Sequence, residues 1–383
     1  MTRRGILMKA LGLFLFAQLA HGQWTAARRL TWNSGYSVEP RIAIRSFGDP
    51  HVVWSDFTPG NWELFCLKSA DGGATWGTSQ RLTWTATASA DPAMAVDFSG
   101  NLHVVYYDAL PGKWQIYYKK STDGGVHWTA SQRLTWTSGW ADCPDISTSY
   151  PGNLHVVWED NTPGNSEIYY RNSTDKGITW STVTRLSWNV GDSYYPAIAV
   201  DSSGDLHVVW EDNTPGKRAI YYKKSTDGGA TWAASQRLTW SSVETWTPSI
   251  AADSSGNLHV VWGEDTPGYS EVYYKRSTDG GATWETSRRL TWTAGNSNEP
   301  EIAADPSGNL HVVWGDNLPG NPEVYYKKSP DGGSSWGPTQ RLTWSSGDSW
   351  HPKIAADSSG NLHVVWDDDI TGNDEIYYKK FVN

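Results

Sequence analysis

One spacing governs this chain. Arg-Leu-Thr-Trp begins at Arg29, Arg81, Arg133, Arg237, Arg289 and Arg341, and Arg185-Leu-Ser-Trp fills the remaining slot. Every step is 52 residues, with no insertion. Seven starts tile residues 23–383, so one repeat domain accounts for that whole length. In the unit beginning at Arg185, residues 196–201, 206–210, 220–224 and 237–240 read as strands. They are rich in β-branched and aromatic residues, and Gly-, Pro- and Asp-containing turns separate them. A four-stranded unit of this length is a propeller blade. The expected fold is all-β: a seven-bladed β-propeller of four-stranded antiparallel blades. If the Arg-Leu-Thr-Trp strand is outermost, the copy at Arg29 precedes every blade and the last unit lacks a fourth strand. The N-terminal strand then completes the last blade and removes a sheet edge.

Composition narrows the classes of function. Only 38% of the residues are apolar, yet 25 are Trp. Globular chains usually reach about 45–50% apolar, so this core is expected to rest on aromatic area. A net charge of −10 argues against a nucleic-acid partner, which needs a basic face. Two cysteines exclude a disulfide framework and a cysteine zinc site. Residues 1–22 read as a secretory signal peptide. Arg3, Arg4 and Lys9 precede an apolar run from Ala10 to Ala20, and cleavage is expected before Gln23. The run is too short to span a bilayer comfortably. The expected location is secreted or periplasmic, with no membrane span.

Between the third and fourth predicted strands stands Ser-x-Asp-x-Gly-x-Thr-Trp. It occupies residues 121–128, 173–180, 225–232 and 277–284, with looser copies at 69–76 and 329–336. These motifs resemble the Asp-box, or BNR repeat, of the sialidase-like propellers, across essentially all of residues 23–383. In that family the box lies opposite the active site. The resemblance therefore implies a structural role for Asp71, Asp123, Asp175, Asp227, Asp279 and Asp331. The physics agrees: Asp caps a turn, Gly supplies positive φ, and Trp packs beneath a neighbouring strand.

The resemblance also raises an exo-sialidase-like glycoside hydrolase as an alternative. Sialidases have six blades, and their chemistry needs three arginines around a carboxylate. Here seven arginines belong to the outer strand, and only Arg41 and Arg45 fall on an innermost one. No catalytic residue is assigned. Acids recur after the second strand at Asp56, Asp108, Asp160, Asp212, Glu264, Asp316 and Asp368. A catalytic pair must break symmetry, because its members need different pKa values. Recurring acids read better as turn caps. The recurring His51, His103, His155, His207, His259, His311 and His363 are one blade apart, too far for shared ligation at about 2 Å. No D-x-D-x-D-G calcium loop is present. No metal or cofactor is expected.

Three groups of tryptophan recur with the repeat: at the end of the outer strand, in the Asp-box and at the end of the second strand. All three are expected to pack between blades. Trp62, Trp114, Trp140, Trp246 and Trp350 fall outside the pattern, in loops that strand alternation places on one face. Tyr36, Tyr194 and Tyr195 join them, beside Asp160, Asp212, Asp316 and Asp368. Aromatic rings stack on pyranose faces while acids and indole N–H groups take hydroxyls. The expectation is a non-catalytic, lectin-like glycan-binding face. An extracellular protein-binding scaffold is a further alternative.

Overall fold

The computed structural model describes residues 22–383 apart from 46, 111 and 319. The signal-peptide segment and its cleavage lie almost wholly outside the described residues. Seven antiparallel sheets follow one another, and no helix occurs among the described residues. The first blade contains Ser37–Ile44, Pro50–Asp56, Glu63–Lys68 and Gln80–Arg81, in order from the axis outwards. The seventh is closed as expected. Gln23–Trp24 and Arg28–Arg29 both pair with Glu375–Val382. Leu30 is buried with Ile376 and Tyr378, and Arg29 donates to the buried Glu375 at 2.7 Å. No helix among the described residues is long and apolar enough to cross a membrane.

Second strands such as Leu206–Asp212 are buried at every position, because each is covered by a blade on both sides. The core is seven similar clusters, one per seam between blades. Six of them centre on a second-strand Trp that is 0–1% exposed, and Tyr106 replaces it in the remaining one.

The repeated motifs form a latch between blades. Asp227 accepts from the Thr231 amide at 2.8 Å and from its hydroxyl at 2.6 Å, while Gly229 donates to Ser225 Oγ at 2.9 Å. The turn so held presses onto the preceding blade. Trp232 meets Tyr170 edge-on at 5.0 Å. Gly229 has φ +91° and lies against Tyr170 Oη, leaving no room for a Cβ. Tyr170 Oη in turn lies 2.8 Å from His155 Nδ1. The recurring histidines are thus packed and hydrogen-bonded, and burial pushes His155 and His363 down to about 4.

Two expectations need correction. The innermost strand of the fourth blade is Ser193–Val200, beginning three residues before the predicted start at Pro196. The outer strand is only Gln236–Arg237. The chain leaves the sheet there, with Leu238 and Thr239 buried. Trp240 therefore falls beyond the ladder and is 71% exposed. The same holds for Trp32, Trp84, Trp136, Trp188, Trp292 and Trp344, at 64–71%. This ring of tryptophans does not pack between blades.

Candidate functional site on the propeller axis

In every blade the ladder between the innermost and second strands breaks at one place, as between Tyr194 and Ala197. The bulge puts Glu39, Asp91, Cys143, Tyr195, Thr247, Glu299 and His351 at φ between 45° and 55°. These are non-glycine residues in the left-handed region, each followed by a proline. The backbone is the same seven times, but the side chain is of six different types. All seven line one cavity of about 570 Å³ on the axis. The residues just after the prolines add Arg41, Asp145, Ser249, Glu301 and Lys353 to its wall.

Hydrogen bonds from the preceding blade hold several bulged amides. Tyr195 N donates to Glu159 Oε2 at 2.9 Å, Thr247 N to Glu211 Oε2 at 3.3 Å, and Glu39 N to Asp367 Oδ1 at 3.2 Å. Blade packing thus fixes the geometry of the axis.

Acids in the cavity wall, and behind it at the bulged amides, have raised proton affinity. Burial lifts Glu211 to about 7 and Asp145 to about 6, against partial opposition from Arg218 and from the Ile198 amide respectively. Burial also pushes Glu39 up, with Asp91 adding to it. Asp142 and Glu159 lie within 4.8 Å of each other and of Cys143 Sγ. Burial raises all three, and the neighbouring Asp142 charge pushes Glu159 up further. Burial opposes the charge on His351, but Asp367 at 2.9 Å, with Glu299 and Glu39 beyond, outweighs it and lifts the imidazole to about 9. Arg41 and Lys353 supply positive charge, and Lys353 is paired with Glu301 at 3.0 Å.

One wall is aromatic. Tyr107 stacks on Trp114 at 4.8 Å, and Trp114 meets Trp140 edge-on at 4.9 Å. Tyr195 borders the cavity, and Tyr194 lies beside it under Arg218. Trp114, Trp140, Tyr194 and Tyr195 therefore gather at the axial mouth. Trp62 packs on Phe57 at 5.2 Å, away from it, and Tyr36 is 50% exposed. Trp246 and Trp350 lie in innermost strands rather than loops; Trp246 packs against Gly263, where a Cβ would clash with the indole, and Trp350 lies beside Gly315.

The recurring acids lie inside the blades. Asp160, Asp212, Asp316 and Asp368 are 0–3% exposed. Asp212 caps its turn through Thr214 N at 2.8 Å and accepts from Ser193 Oγ at 3.0 Å. Its partners leave it no open face for a ligand. Glu63, Glu167, Glu271, Glu323 and Glu375 are likewise buried and each is paired with the outer-strand Arg of its own blade. The acids that do reach the axis stand in columns that other units fill with different residue types. Reading the seven units column by column would have found them. The column before each invariant proline carries six residue types in seven units, and only its aromatic member, Tyr195, stood out as a site residue.

A family model described as a BNR repeat-like domain matches residues 67–261. No curated protein matches. Among solved structures, a polysaccharide lyase, an ulvan lyase bound to -[GlcA(1-4)Rha3S]-, is similar at 13% identity and a TM-score of 0.63, covering 92% of this chain and 95% of that one. A protein of unknown function from Dyadobacter fermentans is similar at 12% identity and a TM-score of 0.57, covering 93% and 98%. A Hadza microbial sialidase is similar at 18% identity and a TM-score of 0.55, covering 74% of this chain and 64% of that one.

Proposed function

Since this chain belongs to the BNR repeat-like domain family, we propose that it is an exported carbohydrate-binding propeller whose ligand enters the axial cavity. One observation carries this reading. Seven units with one backbone pattern carry different side chains where their innermost strands meet, and there they combine acids, an imidazole, phenols and an indole wall around one cavity. A pyranose presents an apolar face for Trp114 and Tyr107 and hydroxyls for the carboxyls. The similarity to a polysaccharide lyase and a sialidase supports the same class of ligand. On this reading the glycan-binding face expected from the sequence centres on the axis.

A second reading, cleavage of a glycosidic bond, is favoured by the buried carboxyls held protonated near neutrality, as a general acid must be. The sialidase form of it lacks support: of the axial cations only Arg41 is an arginine in the cavity wall, and it faces Asp91 at 3.7 Å. The test is a glycan array on the secreted protein, run beside Trp114→Ala and Glu159→Gln. Binding lost in both variants, without release of sugar, supports the binding reading. Release of oligosaccharide moves the assignment to the enzyme. Unchanged binding in both variants removes the axis as the site.

A further inference from the structure

The exposed tryptophans of the outer wall sit at the seams between blades, each beside a cation. Where blade three meets blade four, the Trp188 ring has Arg185 Cζ at 5.8 Å and Lys223 Nζ at 5.3 Å. Lys223 comes from the next blade and donates to Leu186 O across the seam at 2.7 Å. Lys275 repeats this at Trp240, Lys327 at Trp292 and Lys379 at Trp344, with Nζ 5.4–5.5 Å from the ring. Arg171 takes the place at Trp136, at 5.9 Å.

The cations of one seam differ in their partners. Arg185 is neutralised by Glu167 at 2.6 Å. The four seam lysines are 7–8% exposed and bond to a carbonyl instead. Burial alone depresses their ammonium groups, with no carboxylate acting on them. In a chain of net charge −10 these seams are a local exception, with unneutralised positive charge beside open indole surface. An indole covers a sugar ring, and an ammonium takes an anionic substituent on it. A repeated seat suits a repeating ligand.

We propose that the seams at Trp136, Trp188, Trp240, Trp292 and Trp344 form a multivalent surface for an anionic polysaccharide, each seat stacking a sugar ring on the indole and holding its carboxylate or sulfate near the cation of the following blade. This surface is separate from the axial cavity and does not depend on it. Two seams provide an internal contrast. At Trp32 the lysine position is Leu67, and at Trp84 Lys119 turns to Ser131 Oγ at 3.4 Å. Weak seats on one rigid ring add through effective concentration.

The test uses the whole secreted protein, with heparin and polygalacturonate as anionic probes and dextran as the neutral one. Affinity is measured by titration calorimetry at low salt for wild type, Trp188→Ala/Trp240→Ala/Trp292→Ala, Lys223→Met/Lys275→Met/Lys327→Met, and the control Trp32→Ala/Trp84→Ala. The indoles are exposed, so the tryptophan variant keeps its fold, which the melting temperature checks. An anionic probe should bind and dextran should not. Both triple variants should weaken binding on the order of tenfold or more, and Trp32→Ala/Trp84→Ala, at the two seams that lack the seat, should leave it unchanged. Equal binding of dextran, no binding of either anionic probe, or full affinity in the tryptophan variant overturns the proposal.

Discussion

At the scale of residues, glycine and carboxyl groups carry the sharpest consequences. Gly281 has φ +86° and lies against Tyr222 Oη of the preceding blade. Gly281→Ala adds a strained backbone and a steric clash, and should cost about 2–4 kcal/mol in urea unfolding. The axis predicts a pH dependence. Glu211 holds its proton to about 7 in the folded state instead of its ordinary 4.5. The folded state binds that proton more tightly, so stability is greatest below 4.5 and falls as pH rises towards 7. His351, raised to about 9, stabilises below 6.5 and loses that contribution as pH rises through 9, which is the same direction. Glu211→Gln should therefore flatten the decline between about pH 4.5 and 7, with a difference on the order of 2–3 kcal/mol at pH 8. Melting curves across pH measure this, and a parallel profile for wild type and variant would falsify it.

At the scale of elements, the bulged innermost strand is where stability and function separate. Thr247 sits at φ 45°, a conformation that glycine adopts without strain. Thr247→Gly should stabilise the fold by about 1 kcal/mol and weaken axial ligand binding. A variant that is both less stable and fully binding would show the bulge to be structural alone. Much at this level was legible in the sequence: strand count, antiparallel order and the Asp-box turn all follow from local patterns such as Asp227-Gly-Gly. Trp240 was misplaced for a local reason. An apolar residue at the end of a predicted strand reads as core, but the pairing stops at Arg237, and sequence alone does not say where a ladder ends. The sequence pattern of Asp212 suits a turn cap and a binding face alike; in the structure it is buried and caps its turn.

At the scale of the whole molecule, ring closure joins the two ends of the chain. Deleting residues 23–32 removes Leu30 from the core and strands the buried Glu375 without Arg29. The loss should be about 5 kcal/mol or more, and calorimetry of the truncated protein checks it. A melting temperature equal to that of the full chain would contradict the closure. The 52-residue period by itself determined the number of blades, their strand order and this closure, because a repeat that cannot bury its faces alone must stack on copies of itself. Only the tertiary structure decided which side chains share a space. Glu39, Cys143, Tyr195 and His351 are separated by 52 residues or multiples of it, and seven blades bring them to one cavity because the innermost strands converge on the axis. The same stacking turned the outer tryptophans away from the core. Convergence at the centre and divergence at the rim are properties of a closed ring, and no single unit contains them.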